Sequence, residues 1–313
     1  MTASLQTRFG GFFIDQESCI GCRLIEPIID SNNLEESMPN LRIIYDNAAD
    51  RAVLSASSQA GALGPANLQR DGKSSLLRSV GTDLTITAVW PTPEIIGGVA
   101  LPFCNLTPLA LMRVRGYVEP SDAAPAFDSG IVPACEYARL GMWDWGAISL
   151  GVNAFSYGGG TYARCWVPMR TIKKLVIDLA DSGNPAACIE ATRLVAGAYW
   201  SPEQNASYGA GVTPVDSSSQ YRSDAGGQKV ARGSVYRKLS LSLDHMTPLD
   251  RAELWRIVHG SGLSRPLFVS LYPDNDDVEL EQVHQVYGRL ANLAAITTPS
   301  FQAYATNIEI EEL

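Results

Sequence analysis

Short β-prone runs alternate with turn residues along the middle of the chain, over residues 45–200. In the run TDLTITAVW, Leu84, Ile86, Ala88 and Trp90 recur at every second position, with polar residues between most of them. A period of two places such residues on one face of a strand. Clusters of Gly, Pro, Asn, Asp and Ser separate the runs, which is typical of β-sandwiches. The pattern therefore predicts a jelly-roll β-sandwich.

One later run departs from simple alternation. KKLVIDLAD places Leu175, Ile177 and Leu179 on one face, but it also places Val176 on the other. Apolar residues on both faces are typical of a strand that is covered on both sides. We therefore expect this strand to be buried on both faces.

The clearest helix signals of the chain lie in TPLDRAELWRIVHGSG. Thr247 is a candidate N-cap, Pro248 stands at the first helical position, and Asp250 follows three residues after the cap. Gly260 or Gly262 is expected to end the helix. The predicted apolar stripe, which would anchor the helix on a sheet, contains Leu249, Ala252, Leu254, Trp255 and Val258.

Strand signals surround this helix. SVYRKLSLSLDHM precedes it and places Leu239, Leu241 and Leu243 on one face. Three further strands are predicted after it, in PLFVSLYP, QVHQVYGRLAN and FQAYATNIEIEEL. Strands that flank a single helix predict a small α+β unit.

These elements divide the chain into four segments. Residues 1–40 are predicted to be an N-terminal arm, because about 40 residues without staples rarely hold a core. Residues 41–202 are the predicted jelly-roll β-sandwich, and residues 232–313 are the predicted C-terminal α+β unit with one clear helix. Residues 203–231 predict a polar Gly/Ser-rich loop or arm that reaches a neighbouring subunit. The fold class is therefore predicted to be mainly β.

Charge and composition argue against several classes of protein. The 313 residues carry a net charge of −9. Nonspecific nucleic-acid binding is not expected, because it needs clustered Lys and Arg. No run of about eighteen apolar residues occurs, so no membrane-spanning helix is predicted. The N-terminal sequence lacks the pattern of a signal peptide, so we expect folding in a cytoplasm, with the six cysteines as free thiols.

The sharpest local motif is the CxxC pair formed by Cys19 and Cys22. It resembles the start of an iron–sulfur or zinc motif, but Ile25 stands where a ferredoxin-type run has its third cysteine. Structural thiols are favoured over a metal site, and whether Cys19 and Cys22 bind a metal stays open. The glycine run at residues 158–160 leads into a strand-like segment, which indicates a hairpin loop rather than a phosphate-binding loop.

The sequence contains no recognisable catalytic constellation. It has neither a G-x-S-x-G elbow nor an HExxH pair. His245, His259 and His284 show no ligand spacing, and the carboxylates that begin at Asp274 lack the glycine of a calcium loop. We therefore predict no catalytic, cofactor-binding or metal-binding residue, and a protein that is not an enzyme.

Aromatic residues cluster in the Gly-rich stretch GMWDWGAISLGVNAFSYGGGTYARCW. Tyr and Trp on loops are common anchors for protein partners and for stacking on sugars, whereas the same residues also fill cores. Both interpretations are kept for Trp143, Trp145, Phe155, Tyr157, Tyr162 and Trp166.

The middle segments YDNAADRAVLSASS, ALGPANLQ, LLRSVGTDLTITAVW and IIGGVALPFCNLTPLALMRVRGY resemble the galactose-binding-like β-sandwich of tailed-bacteriophage virion proteins. The later segments RLVAGAYWSPEQNASYG, RKLSLSLDHMTPLDRAELWRIV and RPLFVSLYPD are similar to phage tail-tip or baseplate proteins of the distal tail type. The resemblance implies a jelly-roll (galactose-binding-like) sandwich within a structural virion protein.

The resemblance also implies a function and partners. A distal tail or baseplate component would form a homo-oligomeric ring, contact other tail and baseplate proteins, and connect the tail tube to the tip. It would be assembled in the host cytoplasm and reside in the virion tail. The alternative function is a carbohydrate-binding adhesin whose partner is a host-surface glycan. A glycan hydrolase ranks third, because no carboxylate pair stands out at strand ends.

Overall fold

Antiparallel strands are the dominant secondary structure in the part of the chain that the structure describes. The computed structural model describes residues 40–135, 153, 160–224, 226–275, 278–293, 295–300 and 302–313. In these residues, every ladder between named strands is antiparallel. The predicted mainly β class is therefore confirmed.

Two of the described strands are very long, and the others are much shorter. In chain order the strands are β1 Arg42–Ile44, β2 Val53–Ala56, β3 Leu77–Arg78, β4 Asp83–Cys104, β5 Leu111–Tyr117, β6 Phe127–Asp128, β7 Val132–Pro133, β8 Thr161–Ala180, β9 Glu190–Ala191, β10 Val195–Gly197, β11 Gly211–Asp216, β12 Ser219–Arg222, β13 Gln228–Ala231, β14 Val235–Met246, β15 Leu267–Ser270, β16 Gln285–Leu290, β17 Thr297–Ser300 and β18 Ala303–Glu312. The helices are α1 Pro248–Ser261 and α2 Val278–Val283.

The first sheet has seven strands and is organised around the long pair β4 and β8. Its order is β10-β4-β8-β5-β6, with β2 on β4 and β7 on β5. Ile86 of β4 pairs with Ile177 of β8, and both side chains are buried. The predicted alternation is confirmed, since the apolar face of β4 enters the core. Val176 is buried as well, so β8 is covered on both faces as predicted.

The second sheet also has seven strands, in the order β1-β15-β16-β18-β14-β11, with β17 on β18. The predicted face of β14 is confirmed, because Leu239, Leu241 and Leu243 are all buried. β1 lies within the segment predicted as the sandwich, yet it pairs with β15, so that Ile43 stands opposite Val269. The second sheet therefore takes one strand from far upstream in the chain.

The two sheets pack against each other through an aromatic layer. Phe103 and Tyr162 come from the first sheet, and Phe268 and Tyr287 from the second. The rings of Tyr162 and Phe268 are stacked, with their centroids 6.2 Å apart. The fold class, a jelly-roll β-sandwich followed by a smaller α+β unit with one clear helix, is therefore confirmed.

The segment 203–231, predicted to be a loop or arm, contains three strands. β11 pairs with β14 along its whole length, from Gly211 opposite Ser240 to Asp216 opposite Val235. β12 and β13 then form a two-stranded ribbon in which every residue is exposed. The prediction of a loop is wrong for these strands, because an exposed ribbon has no buried face and needs no apolar alternation.

Helix α1 begins and ends as predicted but presents a different face to the sheet. Thr247 and Asp250 form a reciprocal capping box, and Gly262 follows the helix with φ +52°. The buried residues are Asp250, Leu254, Ile257 and Ser261, which are spaced by three or four residues. The predicted anchor Trp255 is wrong, since it is 63% exposed, because it lies about 100° around the helix from Leu254.

The region predicted as the strand QVHQVYGRLAN is partly helical. α2 ends at Val283, and β16 begins only at Gln285. The apolar residues after this point are those that pair with β15. The sequence therefore contains the predicted strand, but the strand starts later.

Candidate functional site

An open cleft of about 460 Å³ lies beside helix α1. We call it the aromatic cleft. It is lined by Arg251, Ala252, Trp255, Ile296, Thr298 and Tyr304. These residues come from the outward side of α1, from β17 and the segment before it, and from β18. The cleft is therefore a product of the way in which α1 packs on the second sheet.

Trp255 is the most exposed aromatic group of the cleft. Its neighbour Leu254 is 1% exposed and anchors α1 in the core, so Trp255 points away from it. The Trp255 ring is parallel to the His259 ring one turn later, within 3°, with centroids 6.4 Å apart. This pair holds a broad aromatic surface in one orientation at the wall of the cleft.

Arg251 and Tyr304 form the other half of the aromatic cleft. The guanidinium carbon of Arg251 lies over the Tyr304 ring, 4.7 Å from its centroid. A cation over an aromatic face is attracted by the ring, which favours this position of Arg251. Arg251 and Trp255 are four residues apart, so both side chains project from the same side of α1.

A second cleft, of about 330 Å³, differs in chemistry. We call it the polar cleft. It is lined by Tyr45, Asp46, Asn47, Asp50, Arg51, Asp71, Arg193, Ser264, Arg265 and Pro266. Carboxylates and guanidinium groups dominate this lining, and Tyr45 is its aromatic residue.

Arg193 links the acidic residues of the polar cleft through its guanidinium group. It is buried and binds Asp50 at 2.8 Å and Asp71 at 3.2 Å. Its Nε donates to the hydroxyl of Tyr287 at 2.8 Å, and that hydroxyl donates to Asp71 at 3.1 Å. Burial raises the pKa of Asp50, and the charge of Arg193 offsets only part of this rise.

Arg51, another residue of the polar cleft, also pairs with two carboxylates. Its guanidinium binds both oxygens of Asp46, at 2.7 and 2.9 Å. It also binds both oxygens of Glu94, at 2.9 and 3.0 Å. These hydrogen bonds, together with the charges of the two carboxylates, raise the pKa of Arg51 well above its ordinary range. The charged groups of this cleft therefore largely bind one another.

The three histidines lie apart in the structure. His259 stacks on Trp255, and His284 shares a hydrogen bond of 2.7 Å between its Nδ1 and the carbonyl oxygen of Leu280. His245 is exposed on β14. Asp274 forms an exposed salt bridge with Arg42. Among the residues that the structure describes, no three His, Cys, Asp or Glu side chains converge as a metal site.

The described cysteines are free thiols. Cys104, Cys135 and Cys165 are buried, and Cys188 is half-buried. Cys104 lies at the end of β4 and Cys165 lies within β8. Cys19 and Cys22 lie outside the described residues. No helix in the described part of the chain has the length and apolar character needed to span a membrane.

The aromatic Gly-rich stretch is described only in part. Trp143, Trp145, Phe155 and Tyr157 lie outside the described residues. Tyr162 is buried, and its hydroxyl donates to Glu312 at 2.7 Å. Trp166 packs edge-on against Tyr199, with centroids 5.4 Å apart. Tyr162 therefore belongs to the core, as one of the two interpretations predicted, and Trp166 is a half-buried residue that packs against the same core cluster.

Sequence reasoning missed the aromatic cleft. The sequence places Trp255 on the apolar stripe that begins at Leu249 and therefore predicts it as an anchor in the core. The spacing of Asp250, Leu254, Ile257 and Ser261 marks a different face of the helix. If Asp250 and Ser261 are counted as core positions, this spacing predicts a buried helix face that does not include Trp255.

Comparisons with known proteins identify similar structures but no family. No protein-family model matches the sequence, and no curated protein matches it. Chitosan-binding module 1 of a Paenibacillus sp. IK-5 chitosanase/glucanase is 11% identical over 49% of this chain and 99% of the module, with a TM-score of 0.36. The Streptococcus pneumoniae fucose-binding module SpX-3 is 11% identical over 50% of this chain and 99% of the module, with a TM-score of 0.34.

An enzyme appears among the similar structures as well. The Ruminococcus gnavus GH29 fucosidase solved with fucose is 12% identical over 50% of this chain, with a TM-score of 0.35. The match covers only 27% of the fucosidase. All three TM-scores are below 0.5, so these similarities carry neither a ligand nor an activity over to this chain. None of the three is a phage or virion protein.

Proposed function

We propose that the protein binds carbohydrate and that the aromatic cleft is its binding site. The observation that carries this proposal is the position of Trp255, which is 63% exposed and lines a concave cleft together with Tyr304. A large exposed aromatic ring contributes little to the core, whereas in a cleft it offers a flat surface for a ligand.

Sugar chemistry fits the lining of the aromatic cleft. A sugar ring has one face of C–H groups, which packs on an indole, and a rim of hydroxyl groups that need hydrogen-bond partners. Arg251, Thr298 and Tyr304 supply such partners around Trp255. The combination of one apolar wall with a few polar groups is typical of small-molecule sites.

The proposal stands on the cleft rather than on the structural neighbours. Two of those neighbours are named for binding chitosan and fucose, but their similarity to this chain is too loose to transfer a ligand. The function proposed here coincides with the alternative that the sequence predicted, a carbohydrate-binding adhesin. Its site differs, since the sequence predicted the Gly-rich aromatic loops.

A glycan array tests the proposal. The wild-type protein and the Trp255→Ala variant are labelled and applied to the same array of oligosaccharides. We expect the wild type to bind a defined set of glycans and the variant to lose at least tenfold in affinity, because it lacks the stacking surface. Leu249→Ala is the matched control, since Leu249 is an exposed apolar residue of α1 that does not line the cleft. Equal binding by the wild type and Trp255→Ala would contradict the proposed site.

As a second function we propose the virion role, a structural component of a phage tail that assembles as a ring. The exposed ribbon of β12 and β13 supports it. A two-stranded ribbon is marginally stable alone in water, so its exposure favours a partner that orders it. Arg222 and Lys229 lie in its strands and Asp224 in its turn, so the ribbon carries one net positive charge, which suits contact with a copy of a chain whose net charge is −9.

Replacing residues 219–231 by a short Gly-Ser linker tests the second function. The change spares β11, so the second sheet keeps its edge strand. We expect an unchanged circular dichroism spectrum and the loss of ring particles in negative-stain micrographs. Rings formed by the variant, or the absence of rings in the wild type, would contradict this function and leave the carbohydrate proposal untouched.

A further inference from the structure

The charge of the aromatic cleft carries an inference about the class of sugar, and this inference rests on the proposed carbohydrate function. Among the described residues that line the cleft, Arg251 alone is charged. The other lining residues are Ala252, Trp255, Ile296, Thr298 and Tyr304. The described lining of the cleft is therefore positively charged, although the chain as a whole carries a net charge of −9.

The guanidinium of Arg251 is not paired with any carboxylate of the residues that the structure describes. No salt bridge joins Arg251 to an Asp or Glu within the described ranges of the chain. Many other arginines of the protein do form such pairs, including Arg51, Arg78, Arg113, Arg115, Arg193 and Arg237. Arg251 is thus one of the described arginines whose charge no salt bridge offsets, and it is the one that lines the aromatic cleft.

The nearest carboxylates along α1 are already occupied. Asp250 is buried and accepts hydrogen bonds from the backbone and hydroxyl of Thr247. Glu253 binds Arg256 at 2.5 Å. Neither carboxylate is left to neutralise Arg251, so the positive charge of the cleft is available to a ligand.

Tyr304 holds Arg251 at the cleft wall. The guanidinium carbon lies 4.7 Å from the centroid of the ring, which is a stabilising cation–π distance. A side chain that is already oriented loses less rotamer freedom when it binds a ligand. A cation–π contact does not use the N–H groups that lie in the plane of the guanidinium. These donors therefore remain available to a ligand.

We infer that the aromatic cleft selects sugars that carry an anionic group, a carboxylate or a sulfate. The ring of such a sugar would stack on Trp255, and its anionic group would accept hydrogen bonds from the guanidinium of Arg251. Arg binds planar carboxylates through two parallel N–H donors, and such charge-assisted bonds are about twice as strong as neutral ones. A neutral sugar would also accept a hydrogen bond from the guanidinium, but it would bring neither an opposite charge nor two parallel acceptor oxygens.

Matched neutral and anionic ligands test the inference. The array contains neutral, carboxylated and sulfated oligosaccharides, and oligogalactose, oligogalacturonate and galactose 6-sulfate are then titrated individually. We expect the wild type to prefer anionic over neutral sugars by roughly tenfold or more. In Arg251→Gln the ratio of the two affinities should fall towards one, whereas Arg251→Lys should keep part of it because it keeps the charge.

Arg256→Gln is the matched control for these variants. It removes a charge from the same helix but not from the cleft, so the preference should persist. The galacturonate and galactose 6-sulfate arms distinguish a carboxylate from a sulfate ligand.

Three results would overturn the inference. A wild type that binds only neutral sugars would leave carbohydrate binding intact and remove the anionic preference. An anionic preference that survives in Arg251→Gln would place the selective group elsewhere. Binding to no glycan on the array would remove the proposed function together with this inference.

Discussion

The aromatic cleft and the polar cleft use charged side chains in opposite ways. In the polar cleft Arg193 binds Asp50, Asp71 and the hydroxyl of Tyr287, so its hydrogen-bonding capacity is spent inside the fold. In the aromatic cleft the guanidinium of Arg251 lies over the face of Tyr304 and forms no salt bridge with a described carboxylate. The polar cleft, which is rich in charged residues, is therefore structural. The aromatic cleft, in which Arg251 is the one charged residue of the described lining, is the candidate site.

The comparison shows that the hydrogen-bond partners of charged residues, rather than their identities alone, distinguish a structural cluster from a candidate binding site. Asp46, Asp50, Asp71, Arg51 and Arg193 look like a binding site when only their identities are considered. Arg193 and Asp71 bind Tyr287 of the second sheet, whereas Arg51 joins Asp46 to Glu94 of β4, so these bonds hold parts of the fold together. A ligand would have to compete with these bonds, whereas a ligand at Trp255 displaces only water.

The two faces of α1 provide the largest expected contrast. Leu254→Ala should lower the free energy of unfolding by about 2–5 kcal/mol, because it opens a cavity under the helix. Leu249→Ala should change it by less than about 0.5 kcal/mol, since Leu249 is 80% exposed. Urea denaturation of both variants measures the difference. Similar losses for the two variants would mean that α1 is turned differently, and the aromatic cleft would then not exist as described.

Arg193→Leu breaks the structural network of the polar cleft. We expect a loss of about 3 kcal/mol, the lower end of the range for breaking a buried ion pair, because Asp50 and Asp71 keep some contact with water. Arg265→Leu, in the same cleft but exposed, should change stability by about 0.5 kcal/mol or less. The comparison is wrong if Arg193→Leu is tolerated as well as Arg265→Leu and abolishes glycan binding instead.

The stabilising role of a paired charge can also be tested by changing the pH, and Glu312 is the residue that allows this test. Burial alone would raise the pKa of Glu312, but the hydrogen bonds and charge of Arg237 and the hydroxyl of Tyr162 hold it below 4.5. A carboxyl whose folded pKa is lowered stabilises the fold above its unfolded pKa, and this contribution is lost as the pH falls through the folded value.

Glu312→Gln should therefore cost about 1–3 kcal/mol at pH 7. The difference between wild type and variant should shrink steadily below pH 4.5. Thermal unfolding at a series of pH values measures it, and a difference that does not change with pH would show that Glu312 is held by packing rather than by charge.

Parts of this structure follow from the sequence because they depend on local rules. The faces of β4, β8 and β14 follow from a period of two, and the start of α1 follows from the capping box of Thr247 and Asp250. Strand partners do not follow in this way. β1 joins β15 across more than 200 residues, and only the packing of the two sheets decides that pairing.

The candidate site shows the same limit. The sequence contains Trp255, Arg251 and Tyr304, but their meeting depends on the rotation of α1 and on its position over β18. A single misplaced position around the helix moves Trp255 from the surface to the core. The absence of a carboxylate partner for Arg251 is likewise a property of the assembled fold.

The most direct test is a crystal structure of the protein soaked with the glycan that binds best on the array. The account predicts a sugar ring stacked on Trp255, with Tyr304 and Arg251 in contact with the same sugar. Leu254 should remain in the core beneath it. A sugar found instead in the polar cleft, between Asp46, Asp71 and Arg265, would contradict the central claim that the cleft with unspent groups is the binding site.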